Sequence, residues 1–209
     1  MKHDALLFDF DGVLVDSEPV HYQCWNEILS TFGLSLGWEA WSANCIGVSD
    51  RLMLERMSRQ LTPPIDVETL YETYPRKKAR FLELMEEKMP FFEGVQAMFE
   101  SLHADYSLAV VTSSGRSEVQ PILEKAGLNR FLKASVFGAD VTRLKPAPDP
   151  YLKAAHMLHA KNPLVIEDSE AGEQSGLAAG FAVLRVASPA EVPDRLANLL
   201  GLSPRPWAK

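Results

Sequence analysis

The sequence has few cysteines, no excess of positive charge and no long apolar run, and each of these excludes a class of protein. Only two of its 209 residues are cysteines, Cys24 and Cys45. A chain of this length can bury its own core, so we expect both to be reduced and buried rather than part of a disulfide framework. The formal net charge is -7. The sequence therefore lacks the basic surface stripe with which proteins bind nucleic acid and anionic lipid. We therefore predict a small soluble ligand and no nucleic-acid partner.

The sequence also has no apolar run close to the ~20 residues that a membrane-spanning helix needs. The apolar stretch near the N-terminus is short and is not followed by a small-residue cleavage pattern, so we interpret it as a strand and not as a signal peptide. We therefore expect a cytoplasmic protein without a membrane partner. Nothing in the sequence indicates an obligate protein partner, and a monomer is expected.

Short apolar runs of the kind that form buried parallel strands recur along most of the chain. They occur at residues 5–9, 107–112, 134–138, 163–168 and 181–186. Helical patterns lie between the later runs, at residues 118–126, 150–159 and 171–179. Strands that alternate with helices predict a doubly wound α/β fold with a mainly parallel sheet.

The segment from residue 17 to residue 89 breaks this alternation, because it has only helical patterns. One pattern covers residues 21–32, a second can be capped by Ser49, and a long third pattern at residues 66–87 is interrupted by Pro75. We predict an all-helical domain over residues 17–89, inserted into a catalytic core domain formed by residues 1–16 and 90–209. A basic run at residues 76–80 precedes three glutamates, so we interpret it as a solvated helix face.

Two aspartates stand at the end of the first predicted strand. Asp9 and Asp11 are two residues apart, and an extended backbone directs both side chains to one side. Open parallel sheets bind their ligands beyond the carboxyl ends of the strands, where this pair lies. A solvated pair before a turn is the alternative interpretation.

Three further segments, each at the C-terminal end of a later strand or shortly after one, carry polar residues of complementary chemistry. Residues 112–114 offer hydroxyls and backbone N–H groups that suit phosphate oxygens, Lys145 lies in a turn with three prolines, and Glu167 and Asp168 follow a buried strand. Each segment has a simpler interpretation, namely a capping turn, a surface lysine, or a helix cap made by Asp168 or Ser169. Four such segments at the strand ends of one sheet favour a shared site.

Together these segments resemble the motifs of the haloacid dehalogenase-like (HAD) hydrolase superfamily. DFDGVLVDSE is similar to the first motif, VVTSS to the second, the lysine of RLKPAPDPY to the third and VIEDSEAG to the fourth. The β-phosphoglucomutase-like phosphatases are the subgroup that the chain resembles most. The resemblance implies a HAD-like Rossmannoid core, and it identifies the helical insertion with the family's cap domain.

The resemblance also implies the roles of individual residues in a phosphatase reaction. Asp9 would be the nucleophile that forms an aspartyl-phosphate, and Asp11 the general acid and base. Thr112, the Ser113 amide and Lys145 would hold the phosphoryl oxygens, and Lys145 would also restrain Asp9.

A magnesium ion (Mg2+) is the cofactor that the resemblance implies. Its expected ligands are the side chains of Asp9, Glu167 and Asp168 and the backbone carbonyl of Asp11. The cation would offset the repulsion between the attacking carboxylate and the anionic phosphate. Because Asp11 is present, the resemblance favours a phosphatase over the dehalogenases and phosphonatases of the superfamily.

Substrate-binding residues are less clearly marked. His21 and Trp25 match positions of the family's cap that face the active site, although a buried histidine and a core tryptophan are alternatives. Ser114 and Arg116 could reach a second anionic group of the substrate, and simple solvent exposure is the alternative for Arg116.

Two other functions stay open. The family's mutases have a basic residue after the cap's Gly-Val-Ser to grip a second phosphate; here that position is Asp50, and a preceding basic position is Ile46. Arg51 would leave the helix about 100° away from Asp50 and is a poor substitute. We therefore expect a phosphatase of a small phosphorylated metabolite, with a phosphosugar mutase as the alternative. A non-catalytic protein that senses a phosphorylated ligand is a third possibility.

Overall fold

A computed structural model describes residues 3–45, 50–61, 63–202 and 207. The chain divides into two compact units. The helical unit is Ser17–Lys88, and the α/β unit consists of Met1–Asp16 and Met89–Lys209. Ile46 and Ser49 lie outside the described residues.

The helical unit contains helices around a core of its own. They are α1 (Glu18–Ser30), α2 (Trp38–Asn44), α3 (Asp50–Ser58), α4 (Val67–Tyr71) and α5 (Tyr74–Lys88). The long pattern predicted at residues 66–87 is divided into α4 and α5, because Pro75 is tolerated in a first helical turn but not in a helix interior. The core includes Trp25, Leu29, Trp41 and Leu70.

Cys24 and Cys45 are both buried and carry free thiols. Burial raises the pKa of the Cys24 thiol to about 11, so it stays protonated at neutral pH. Among the described residues, no helix has both the length and the apolar character needed to cross a membrane.

Lys77 corrects our interpretation of the basic run as a solvated helix face. Its side chain is 1% exposed and lies on the buried face of α5 with Phe81, Leu84 and Met85. These residues follow one another at intervals of about one helical turn, so they share one side of the helix. Lys77 points inward because of its position in the helical repeat, although it belongs to a run of charged residues.

The α/β unit is built on a five-stranded parallel sheet with the order β3-β2-β1-β4-β5. The strands are β1 (Ala5–Phe8), β2 (Ser107–Val111), β3 (Leu132–Val136), β4 (Pro163–Glu167) and β5 (Ala182–Arg185). Each overlaps a predicted apolar run, which confirms the predicted fold class. β1 lies at the centre of the sheet, so its carboxyl end is flanked by the ends of β2 and β4.

Helices cover both faces of this sheet, as the continuous apolar strands predicted. They are α6 (Val95–Leu102), α7 (Arg116–Lys125), α8 (Asp149–Leu158), α9 (Glu170–Ala178) and α10 (Val192–Leu200), with short 3-10 turns at 129–131, 138–140 and 189–191. On one face, Tyr151 and Ala154 of α8 pack into a core with Leu7 and Val111. On the other face, Phe99 of α6 packs against Phe8 with ring centroids 5.0 Å apart and the rings tilted by 33°. The sheet edge where β1, β2 and β4 end is therefore held from both sides.

Candidate active site

Asp9 directly follows β1 and is buried. Its backbone N–H donates to the carbonyl of Ile166 over 3.0 Å, which extends the pairing of β1 with β4 by one residue. Its Oδ1 accepts a hydrogen bond from Nζ of Lys145 over 2.7 Å. The carboxylate is thus fixed on the backbone side by the sheet and on the side-chain side by a cation.

The turn after Asp9 brings Asp11 and Gly12 to the same sheet edge. The Asp11 carboxylate accepts a hydrogen bond from Oγ of Ser114 at 2.8 Å. Gly12 has a φ of +75°, and a Cβ there would lie 2.1 Å from Oδ2 of Asp168. Only glycine allows both this backbone conformation and this approach of Asp168.

The segment after β2 forms a turn that presents polar groups at the sheet edge. The Thr112 N–H donates to the Val136 carbonyl over 2.9 Å, and Thr112 Oγ1 accepts the Ser114 N–H at 2.9 Å. A Cβ at Gly138 would lie 2.3 Å from the Ser113 carbonyl oxygen, so a glycine is needed beside this turn. Thr112 is buried, whereas Ser113 is exposed at the edge.

Lys145 extends from the proline-rich turn into the protein, where its side chain is 6% exposed. Its ammonium donates to Asp9 Oδ1 at 2.7 Å, Glu167 Oε1 at 2.5 Å and the Val111 carbonyl at 3.0 Å. The lysine therefore joins the ends of β1, β2 and β4. A solvent-facing lysine, the alternative interpretation of the sequence, is excluded.

Glu167 and Asp168 complete the site at the end of β4. Glu167 is fully buried, and its Oε2 accepts the N–H groups of Asp168 and Ser169 and the Ser169 hydroxyl at 3.1 to 3.2 Å. Ser169 in turn caps α9 by accepting the Gly172 N–H over 3.0 Å. The helix cap suggested by the sequence is therefore present, and it fixes the turn that carries both acids.

Mutual repulsion and burial dominate the electrostatics of the carboxylates. Burial raises the pKa of Asp9 well above its ordinary value, Glu167 raises it further, and Lys145 opposes the shift. Burial and the charge of Glu167 likewise raise the pKa of Asp168 to about 6. Burial disfavours the charged form of Lys145, but Asp9 and Glu167 outweigh it and raise the lysine's pKa. The lysine is thus a permanent cation among acids that repel one another.

This arrangement fits a divalent cation. Asp9, Glu167 and Asp168 each offer a carboxylate oxygen, and these oxygens lie within 4.8 Å of one another. Hard oxygen ligands are those that Mg2+ prefers. A divalent cation would relieve the repulsion that, after burial, raises the pKa values of Asp9 and Asp168. The acidic cluster could therefore hold a metal ion.

Two predicted substrate-binding residues have other contacts. Arg116 is mostly exposed, pairs with Asp140 at 3.0 Å and lies 4.2 Å above the Phe137 ring. His21 lies on α1 in the helical unit and stacks on Phe81, with ring centroids 4.3 Å apart. Their roles in substrate binding stay predictions.

The environment of His21 also determines its charge. Burial and the nearby ammonium of Lys77 lower the pKa of His21 to about 3, against a smaller opposing effect of Asp50. The imidazole is therefore neutral at physiological pH. A neutral imidazole brings no positive charge to a phosphate.

Asp50 is engaged within the helical unit. Its carboxylate accepts the indole N–H of Trp25 at 2.7 Å and pairs with the buried Lys77 at 3.3 Å. The Lys77 ammonium also lies 5.2 to 5.8 Å from the ring centroids of Trp25, Tyr74 and Phe81. The position that is basic in the mutases is therefore an acid that neutralises a buried lysine.

Tyr151 and Gly172 contact the site but were not identified from the sequence. The Tyr151 hydroxyl donates to Glu167 Oε1 over 2.7 Å. A Cβ at Gly172 would lie 1.8 Å from the Glu167 carboxylate carbon. In the sequence, Tyr151 is seen only as a tyrosine in the first turn of the helix after Lys145, and Gly172 only as a glycine in the helix after Asp168. Neither indicates a contact with Glu167 without the three-dimensional fold.

Comparison with known proteins identifies the family. The sequence profile of the haloacid dehalogenase-like hydrolases matches residues 6–186. A phosphorylated carbohydrates phosphatase of Thermotoga maritima is 28% identical over 182 residues, which cover 85% of this chain and 82% of the relative. A fructose-1-phosphate phosphatase of Escherichia coli is 28% identical over 194 residues, or 88% of this chain and 97% of the relative.

A solved structure supports the same conclusion. A HAD hydrolase of family IA from Entamoeba histolytica superposes with a TM-score of 0.77 at 25% identity, covering 96% of this chain and 91% of its own. The fold and the site define a hydrolase with a parallel α/β core and an acidic centre at the carboxyl ends of its strands. The chain belongs to the haloacid dehalogenase-like hydrolases, as the resemblance of its motifs predicted.

Proposed function

We propose that this protein is a Mg2+-dependent phosphatase that hydrolyses a small phosphorylated metabolite of the sugar-phosphate type. The observation that carries the proposal is the buried Asp9 carboxylate, held by Lys145 at 2.7 Å and flanked by Asp11 and Asp168. The similar phosphatases from Thermotoga maritima and Escherichia coli act, by their names, on phosphorylated carbohydrates and fructose 1-phosphate. Their names favour the sugar-phosphate class here.

In the first step, a carboxylate oxygen of Asp9 attacks the phosphorus atom. The bond between phosphorus and the ester oxygen breaks, and Asp11 donates a proton to the leaving alcohol. The product is an aspartyl-phosphate on Asp9. Lys145 restrains the nucleophile and supplies positive charge close to it, and Thr112 and the Ser113 N–H orient the phosphoryl oxygens.

In the second step, water attacks the phosphorus atom of the aspartyl-phosphate. Asp11, now ionised, takes the proton of this water, the bond between phosphorus and Asp9 breaks, and inorganic phosphate leaves. Asp9 and protonated Asp11 are thereby regenerated. The hydrogen bond from Ser114 orients the Asp11 carboxylate.

A magnesium ion held by oxygens of Asp9, Asp168 and the Asp11 carbonyl, with the negative charge of Glu167 beside it, would supply charge that offsets the repulsion between Asp9 and the phosphate. The protein's part is to keep these groups in one buried cluster. The cluster's oxygens lie within 4.8 Å of one another, and Gly12 leaves room for Asp168.

Asp50 favours hydrolysis over a mutase reaction. A mutase must bind two phosphates, and the basic residue that would grip the second is replaced by an acid. Its carboxylate is already engaged by Trp25 and Lys77, and it neutralises the buried lysine. Water is therefore the final acceptor in our proposal.

Phosphate release from a panel of phosphorylated sugars and small phosphorylated acids, with and without Mg2+, tests the proposal. We expect Mg2+-dependent release from at least one sugar phosphate and none from Asp9→Asn. Fast isomerisation of β-glucose 1-phosphate without net phosphate release would instead identify a mutase. Unchanged turnover by Asp9→Asn would exclude the mechanism.

A further inference from the structure

The Lys145 ammonium uses all of its hydrogen-bond donors within the protein. A lysine ammonium has three N–H donors. In this structure they serve Asp9 Oδ1, Glu167 Oε1 and the Val111 carbonyl, at 2.7, 2.5 and 3.0 Å. The position of Lys145 on Asp9 therefore depends on where its second acidic partner, Glu167, is held.

Glu167 is held by an unusually full set of donors. Lys145 and the Tyr151 hydroxyl donate to its Oε1, and two N–H groups and the Ser169 hydroxyl donate to its Oε2. An ionised carboxylate has about four lone-pair sites, so five donors engage it completely. Gly172 closes the remaining side, since no Cβ fits there. The Glu167 carboxylate is thus an anchor whose position is set by the protein.

Tyr151 is the part of this anchor that packing alone does not explain. Its side chain is fully buried beneath Lys145, with the ammonium 5.0 Å from the ring centroid. Phenylalanine would fill the same apolar core, and a buried hydroxyl is unfavourable unless it is paired. The hydroxyl is paired with Glu167 Oε1, the atom that Lys145 also contacts.

We propose that Tyr151 is a positioning residue of the active site: its hydroxyl fixes Glu167 as the buried counter-ion of Lys145 and thereby holds Lys145 on Asp9. The lone pairs of Glu167 accept hydrogen bonds from the protein. Glu167 therefore supports a bound cation indirectly, through its negative charge and by holding the turn that carries Asp168. This inference rests on the proposed phosphatase function.

Tyr151→Phe tests the inference because it removes one oxygen and keeps the packing. Without the hydroxyl, Glu167 Oε1 loses one of its two donors and Lys145 is held less tightly on Asp9. We expect kcat on the best sugar phosphate of the panel to fall roughly 5- to 30-fold, with KM changed less than about twofold. Because the lone pairs of Glu167 serve protein donors, binding of Mn2+ to the substrate-free protein, measured by electron paramagnetic resonance, should not weaken by more than about threefold.

Tyr22→Phe is the matched control, since it also removes one tyrosine hydroxyl that donates a hydrogen bond, here to the Leu36 carbonyl at 2.9 Å. We expect its kcat to equal that of the wild type. An active wild-type enzyme whose kcat is unchanged by Tyr151→Phe would overturn the inference and leave the proposed function intact. A parallel loss of kcat, Mn2+ affinity and thermal stability would overturn it as well, because it would indicate a merely structural role. A wild type inactive on the whole panel would instead overturn the proposed function.

Glu167→Gln provides a second test that does not depend on the folding of Tyr151→Phe. Because the lone pairs of Glu167 serve protein donors, this variant should weaken Mn2+ binding less than Asp168→Asn does. It should also lower kcat, since it removes the counter-ion of Lys145. Weakening of Mn2+ binding equal to or greater than that of Asp168→Asn would overturn the inference.

Discussion

Gly172 lies so close to Glu167 that a Cβ on this glycine would be 1.8 Å from the carboxylate carbon. Glu167 cannot easily move away, because it is fully buried and its two oxygens accept hydrogen bonds from Lys145, Tyr151 and the turn before α9. The packing of the first turn of α9 against Glu167 therefore requires a residue without a side chain at position 172.

Gly172→Ala should consequently damage both folding and activity. Inserting a methyl group into a packed site costs about 1 to 3 kcal/mol of unfolding free energy, and displacement of Glu167 would release Lys145. We expect a lower urea midpoint and a large loss of phosphate release. Gly37→Ala is the control, since a Cβ at Gly37 meets no described atom within 4 Å. Equal stability and activity of the two variants would contradict this packing.

Ser114→Ala tests the hydrogen bond to Asp11. The serine hydroxyl donates to Asp11 Oδ2 over 2.8 Å, and a hydrogen bond to a charged group contributes about 1.5 to 3 kcal/mol. If this bond orients the acid and base, its removal should lower kcat roughly tenfold or more. Steady-state phosphate release measures this directly.

The control for this variant is Ser107→Ala, at the opposite end of β2, where the hydroxyl accepts a hydrogen bond from Lys133. It should retain the wild-type kcat. If Ser114→Ala also retains it, the hydroxyl does not orient Asp11 for catalysis. A rise in KM alone would instead favour the substrate-binding role predicted from the sequence.

Asp50 and Lys77 should stabilise the helical unit only as a pair. Asp50→Asn leaves a buried ammonium without its acid, and because the Asp50 side chain is partly exposed we expect a loss of about 2 kcal/mol. Lys77→Met removes the charge and keeps the apolar stem. The double variant should therefore be more stable than the sum of the single effects predicts, by about 1 kcal/mol or more.

The exposed pair Arg51 and Glu68 serves as the reference for this double-mutant cycle. It joins α3 and α4 at the surface, where ion pairs contribute about 0 to 1 kcal/mol. Urea unfolding of both cycles gives the two coupling energies. A coupling at Asp50 and Lys77 no larger than that at the surface pair would contradict our description of the buried pair.

His21 should make the stability of the protein depend on pH. The pKa of His21 is lowered to about 3 in the folded state, whereas an unfolded histidine titrates near 6.5. Below about pH 6.5 the unfolded chain takes up a proton that the folded state refuses, so the unfolding free energy falls by up to about 1.4 kcal/mol per pH unit. This loss continues until the pH approaches 3.

His21→Phe keeps a ring against Phe81 and removes the titration. The unfolding free energy of the wild type should therefore fall relative to that of the variant as the pH is lowered from about 7 to about 4. Urea unfolding at several pH values measures this difference. Parallel pH profiles would contradict a lowered pKa of His21.

The sequence predicted the parts of the fold that depend on local pattern. All five strands overlap apolar runs. The three central strands β1, β2 and β4 are buried along nearly all of their length, as strands covered on both faces must be, whereas the edge strands β3 and β5 include exposed residues. The short helix Trp38–Asn44 and the helices Val95–Leu102 and Val192–Leu200 were not predicted. The first two have no glycine at their C-terminal ends, and tertiary packing stabilises them instead. The third has a proline in its first turn and ends at Gly201, so the sequence did indicate it and our prediction missed it.

The same division holds for the site. Asp9 and Asp168 could be identified because they directly follow strands, at the sheet edge where topology alone brings residues together, and Lys145 because it lies in a turn with three prolines. The contact of Tyr151 with Glu167 and the inward direction of Lys77 depend on helix packing and on which side of a helix faces the core. A linear motif does not contain that information.

The most direct measurement of the central claim is to trap the intermediate on Asp9. The enzyme is mixed with its best sugar phosphate and Mg2+, quenched in acid within the first turnover, digested and analysed by mass spectrometry. Our account predicts a phosphoryl group on the carboxylate of Asp9 that decays as phosphate is released, and none in Asp9→Asn. Release of phosphate without any adduct on the peptide that contains Asp9, or an adduct on another residue, would contradict it.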